Sequence, residues 1–146
     1  MIKRSILLSL FVILSGCSSS TNFPIPGVND SPDIQFNKLY LRGVFNWWEA
    51  TSSFNFQQSS TGWYVDVELI ADGQPYDFRV SDANWTPAQT CGAKYPGQPV
   101  NTDSVIYIVC NPGEKNLQFT PSTTGVYRFT LTPASGDEVA LVVSKQ

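Results

Sequence analysis

An all-β chain, folded as a single immunoglobulin-like antiparallel β-sandwich of about seven strands, is what this sequence predicts. Three observations point there. Apolar and polar residues alternate over several short segments, turn formers separate those segments at frequent intervals, and no amphipathic helical stretch follows the first residues.

Lys38 to Val44 opens the series with Leu39, Leu41 and Val44 among polar neighbours. Trp63 to Ile70 alternates, with Trp63, Val65, Val67 and Leu69 on one face and Tyr64, Asp66, Glu68 and Ile70 on the other. Trp63 therefore reads as core, and Asp66 and Glu68 as a solvated outer face. Ala71-Asp72-Gly73-Gln74 is a turn. Pro75 to Asp82 places Tyr76, Phe78 and Val80 on one side and Asp77, Arg79 and Ser81 on the other. Val105 to Cys110 and Asn116 to Phe119 follow. Val126 to Thr132 points Tyr127, Phe129 and Leu131 inward, and Val139 to Val143 closes the domain. Two connections, Phe45 to Gly62 and Asp82 to Ser104, are longer than a sandwich needs, and loops of that size are where binding residues concentrate.

Composition narrows the function classes. Lys and Arg number 9 against 12 Asp and Glu, a net charge of −3. Without a basic cluster, this balance argues against nucleic acid and against a polybasic membrane patch. Aromatic residues nearly match charged ones, 13% against 14%, as suits a surface that handles uncharged ligands. The chain has no histidine, no Gly-x-Ser-x-Gly elbow, no glycine-rich phosphate loop and no calcium loop. Glycoside hydrolysis needs two carboxylates at a defined separation, and Asp66 with Glu68 is a poor candidate pair. No enzyme activity, cofactor or metal is expected.

The first residues read as a leader. Met1-Ile2-Lys3-Arg4 is a positive start, and Ile6 to Leu14 is an apolar run well short of the ~20 residues that span a bilayer as a helix. Leu14-Ser15-Gly16-Cys17 then resembles a bacterial lipobox. That resemblance implies cleavage before Cys17, lipidation (diacylglyceryl and an acyl chain such as palmitate) at Cys17, and an envelope location. Two or more chains hold a protein firmly where one does not. Ser18, Ser19 and Ser20 carry no acidic signal and resemble outer-membrane lipoproteins of enteric type; in a Gram-positive host the anchor would lie on the outer face of the single membrane. A plain signal peptide with a chance cysteine, or an uncleaved anchor, is the alternative. The expected organisation is residues 1–16 as signal peptide, 17–37 as lipidated end and flexible tether rich in proline and polar turn formers, and 38–146 as the β-sandwich.

Cys91 and Cys110 remain. An oxidising compartment favours a disulfide between them. A two-thiol metal site is the rival, disfavoured because histidine and CxxC pairs are missing.

Leu39-Tyr40-Leu41-Arg42-Gly43-Val44-Phe45-Asn46-Trp47-Trp48, then Gly62 to Leu69, then Tyr76-Asp77-Phe78-Arg79-Val80-Ser81-Asp82 and Asn84-Trp85-Thr86 stand in a recognisable order. The order is similar to the glycogen- and starch-binding β-sandwich family, which includes modules preceding pullulanases and amylases and the glycogen-binding domain of AMP-activated kinase. The family's pattern is a strand, G-x-F-N-x-W, an aromatic strand, Y-x-F-[KR]-[VI] and D-x-x-W-[ST]. The stretch Asn116 to Phe119 with Thr124 to Leu131 resembles the second half of the pullulanase-associated modules.

The resemblance implies that Trp48 and Trp85 form a platform for glucose rings, whose apolar C–H faces stack on flat aromatic surfaces. Either Arg79 or Asp77 would occupy the position of the family's sugar-contacting lysine, and Asn46 would order the turn or serve as a further polar partner. Trp47 replaces a small or polar residue, so the apolar patch is wider or one indole is core. The Cys91–Cys110 pair is not a general family feature. The implied function is non-catalytic capture of an α-glucan or related oligosaccharide by a membrane-anchored lipoprotein. The rival is an interaction protein of an envelope, secretion or pilus system, with Trp47 and Trp48 as anchor for an envelope protein, since tryptophan is enriched at interface hot spots.

Overall fold

The computed structural model describes residues 33–146. The signal peptide, Cys17 and most of the tether expected from the sequence lie outside the described residues. Among the described residues, nine strands form: β1 (Tyr40–Gly43), β2 (Gln57–Ser59), β3 (Gly62–Leu69), β4 (Tyr76–Ser81), β5 (Thr90–Gly92), β6 (Ile106–Cys110), β7 (Leu117–Phe119), β8 (Gly125–Pro133) and β9 (Glu138–Lys145). They hydrogen-bond in the order β1-β4-β5-β6-β9-β8-β3-β2, with β7 also on β4. Every pairing between them is antiparallel.

This ladder curls over on itself, so that β4 and β7 face β8 across the core. Aromatic rings on strands that are not ladder neighbours pack edge to face there. Phe78 meets Phe129 at 5.2 Å, and Phe119 meets Tyr127 at 5.1 Å and Phe129 at 6.2 Å. Alternation explains the arrangement. Val65, Val67 and Leu69 of β3 and Tyr127, Phe129 and Leu131 of β8 are buried, with polar residues between them facing out; Val139, Leu141 and Val143 of β9 are buried too, with the half-buried Ala140 and Val142 between them. The all-β, sandwich-like class expected from the sequence is what forms, and seven of its strands lie where periodicity places them.

The two further strands have no periodic signal. Gln57-Gln58-Ser59 is wholly polar and borders β3 at the sheet edge, held by main-chain pairing with Tyr64, Trp63 and Gly62. Thr90-Cys91-Gly92 is three residues within the long 82–104 connection, buried throughout and paired with both β4 and β6. Just before β1, Ile34 and Phe36 pack against the core. Phe36 stacks on Trp63 at 6.1 Å, and the Gln89 side chain accepts from the Gln35 amide and donates to the Asp33 carbonyl. Residues 33–37, read from the sequence as the end of the tether, thus lie on the domain.

Cys91 and Cys110 are bonded as a disulfide directly across β5 and β6. The enclosed loop, with a sequence separation of 19, makes the bridge worth about 3 kcal/mol in the chain-entropy account. The Cys91→Ser/Cys110→Ser variant should lose about that much stability. A urea unfolding curve with an unshifted midpoint would contradict this.

On the outer face, Arg128 grips Asp66 bidentately, with both contacts at 2.8 Å, and lies over the Tyr64 ring. The Arg128 hydrogen bonds hold the Asp66 carboxyl below its ordinary range. A carboxylate depressed in the folded state stabilises above its unfolded pKa and loses that contribution as pH falls through the lower folded value. Asp66→Asn should therefore lower the melting temperature slightly at neutral pH, as suits an exposed pair, and converge on the wild type as pH falls below about 4.

Candidate functional site

Two loops converge over the outward face of β1 and β4. The first begins at Gly43, where a Cβ would lie 2.5 Å from the Asp77 carbonyl oxygen and 2.8 Å from the Phe45 ring, so only glycine fits. The chain then makes a 3-10 turn over Val44–Asn46. Asn46 closes it: its Oδ1 accepts from the Gly43 amide and its Nδ2 donates to the Leu41 carbonyl, both at 2.9 Å. Asn46 is buried. Both ends of its amide are engaged by backbone, which makes it the organiser of the turn.

Phe45 faces inward onto Phe54 and Tyr76. The next two residues, Trp47 (φ 54°) and Trp48 (φ 60°), both take the left-handed conformation. Trp47 projects into solvent at 87% exposure, while Trp48 lies half-buried across the sheet face.

The second loop follows β4. The Asp82 carboxylate accepts from the Thr86 amide at 2.8 Å and from the Thr86 hydroxyl at 2.6 Å, and the Thr90 hydroxyl donates to the Thr86 carbonyl. This clamp draws the intervening residues into a tight bend that carries Trp85 at its rim, again left-handed at φ 55°. Bulky residues rarely adopt this region, which costs on the order of 1–3 kcal/mol per residue, and such strain gathers at binding sites. Here three of the four tryptophans carry it.

The indoles of Trp48 and Trp85 lie 6.4 Å apart, tilted by 41°. They form an angled shelf rather than a flat one. Beneath it stand two arginines that pair directly across β1 and β4, Arg42 opposite Arg79. Since cross-strand partners rise from the same side of a sheet, both approach from the sheet side. The Arg42 guanidinium is 3.9 Å from the Trp85 ring centre; that of Arg79 is 4.7 Å from Trp85 and 5.6 Å from Trp48.

Arg42 also ties the loops together. Its Nε donates to the Trp48 carbonyl at 2.6 Å, and Nη1 to the carbonyls of Asp82 at 2.8 Å and Ala83 at 3.3 Å. Burial lowers the Arg42 pKa, against the pull of Asp82. Burial likewise lowers that of Arg79, and both remain cationic at neutral pH because guanidinium begins so high. Arg79 is sparsely bonded. Its Nη1 reaches the Gly113 and Glu114 carbonyls only at 3.5 and 3.4 Å, and its buried Nε has no partner.

The residues singled out in the sequence thus part company. Trp48, Trp85 and Arg79 come together. Asp77, two residues earlier on β4, instead accepts from the Gln118 side chain at 2.7 Å across the β4–β7 pair. Of the two candidates for the polar strand position, Arg79 is the one beside the indoles. Asn46 stands below the shelf as a turn element, and Trp47 lies outside the pair. Sequence reasoning misses Arg42, whose one signal is an outward strand position immediately before the G-x-F-N turn. It also misses the Asp82–Thr86 clamp. Among the described residues, no cluster of three or more histidine, cysteine or carboxylate side chains could hold a metal.

No family model matches the chain, and no curated protein matches it in sequence. Its fold is similar to a solved structure described as "Ligand induced structure of AmyP-SBD", with a TM-score of 0.50 and 17% identity, over 94% of this chain and 96% of that one. At that identity the likeness speaks for the fold.

Proposed function

We propose that this protein is a non-catalytic carbohydrate-binding module, anchored to the bacterial envelope by lipid on Cys17, that captures α-glucan-type chains on the shelf of Trp48 and Trp85. The carrying observation is the paired indoles, 6.4 Å apart and held by strained backbone over two guanidiniums. Pyranose C–H faces stack on such surfaces, and Arg79, whose Nη1 makes only long contacts to the Gly113 and Glu114 carbonyls, supplies donors for hydroxyls at the ring edges. The 41° tilt suits consecutive sugars of a chain that curves. The fold neighbour, a starch-binding domain, supports the same reading. Two or three stacking contacts against the ordering of a flexible glycan make a single site weak.

Calorimetric titration with maltoheptaose, with gel retardation in glycogen, tests the proposal. Heat of binding and slowed migration are expected. Silence in both at millimolar ligand overturns it. For the anchor, labelled palmitate should enter the protein expressed in bacteria and vanish in Cys17→Ser. Label retained by that variant refutes lipidation at Cys17.

One observation favours a second reading. Trp47 at 87% exposure beside Val44 at 47% makes an apolar tip outside the indole pair, which suits contact with an envelope protein. Under that reading Trp47→Ala abolishes capture of the partner from membranes and leaves glycan binding unchanged.

A further inference from the structure

We propose that recognition continues past Trp85 into a preformed groove that seats a further neutral hexose unit of the same chain. This rests on the glycan reading above. The groove has a volume of about 480 Å³, with Trp85, Pro87 and Pro112 as apolar walls and Arg79, Thr90 and Glu114 at its polar edges. Its size is that of a small-molecule site. Its chemistry is that of a sugar ring: flat apolar surfaces for C–H faces, and at the margin a carboxylate that only accepts beside a guanidinium that only donates. Vicinal hydroxyls, each donor and acceptor at once, satisfy such a pair.

Arg79 belongs to both shelf and groove. Its long contacts to the Gly113 and Glu114 carbonyls leave donors available on the groove side. Glu114 is exposed and balances the one cation, so the groove has no net charge to attract an acidic sugar, and its carboxylate repels one.

The groove is held open in the free protein. The disulfide joins Cys91 to Cys110 beneath it. The Thr90 carbonyl accepts from the amides of Gly113 at 2.7 Å and Asn111 at 3.3 Å, and the Ala93 amide donates to the Lys115 carbonyl at 2.9 Å. Gly113 packs so closely on Cys91 and Gly92 that no Cβ would fit. A rigid wall incurs little ordering cost on binding. None of this is visible in the sequence, because Pro87, Thr90 and Pro112 meet only after β5 docks between β4 and β6.

The test uses the full chain, detergent-solubilised, titrated with maltose, maltoheptaose, digalacturonate and heptagalacturonate, as wild type and as Glu114→Ala and Pro87→Ser, both exposed positions. Maltoheptaose is expected to bind about tenfold tighter than maltose, which covers the two indoles and stops short of the groove. In both variants that gap should fall to about twofold with the maltose affinity unchanged, and heptagalacturonate should bind no better than digalacturonate. The inference is overturned if maltose binds and maltoheptaose binds no better, if the gap survives both variants, or if the galacturonate gains from length as the maltooligosaccharide does. Absence of binding to either maltooligosaccharide overturns the glycan reading itself, and the groove assignment with it.

Discussion

Trp85→Ala should weaken glycan binding by roughly 30-fold or more, about 2 kcal/mol, the scale of an aromatic hot spot. Trp85 is the common element of the site: it faces Trp48, covers both arginines and walls the groove. Removing the ring takes away stacking surface and uncovers the guanidiniums to water at once. Trp48→Ala should lose a similar amount, and the double variant less than the sum, because the two rings support one ligand and each other. Trp85→Gly sharpens the test. At φ 55° glycine carries no steric penalty, so relief of strain offsets the lost packing on Arg42 and Arg79. Stability should change by less than about 1 kcal/mol while binding disappears. Calorimetry and a urea midpoint read the two quantities separately. Trp85→Ala binding maltoheptaose as the wild type does would remove the shelf from the mechanism.

Arg42→Met should cost about 3–5 kcal/mol of stability and abolish binding as well. Arg42 is 6% exposed, and its hydrogen bonds to Trp48, Asp82 and Ala83 satisfy carbonyls of both tryptophan loops. Methionine keeps the apolar stem and removes every donor. Hydrogen bonds to a charged group are each worth roughly 1.5–3 kcal/mol, and the carbonyls left behind stay part-buried without partners. Loss of the tie also frees Trp48 and Trp85 from their strained backbone, so the shelf dissolves before the core does. Arg42→Lys should not rescue, since a single ammonium cannot span two loops as a fork does. The readouts are the urea midpoint, near-ultraviolet circular dichroism of the indoles, and the maltoheptaose isotherm. An unmoved midpoint in Arg42→Met would show that the guanidinium does not hold the loops.

The site is partly legible in the amino-acid sequence. Trp48 and Trp85 stand out through the resemblance of the G-x-F-N-x-W and D-x-x-W-[ST] stretches to the starch-binding family, and Arg79 through the same resemblance at a position that strand alternation turns outward. Asp77 shares that alternation, and periodicity does not separate it from Arg79. What separates them is which end of β4 the two loops cover, with Gln118 waiting at the other. Asn46 reads either as ordering the turn or as a further polar partner, and its bonds to Gly43 and Leu41 give it the first role. Arg42 stays hidden. A charged residue on an outward strand position reads as solvated, and only the folding of two distant loops over it makes it buried.

The all-β ladder, the inward faces of its longer strands and the pair of cysteines free to bond can be read from the order of the residues alone. Those properties follow from alternation along single segments and from residue chemistry, which need no partner to be read. Tertiary structure alone decided the three-residue strands β2 and β5, the left-handed tryptophans, the arginine floor and the groove beside Trp85. Each arises from main-chain pairing or loop convergence between separate segments, and no local pattern encodes the register in which such segments meet.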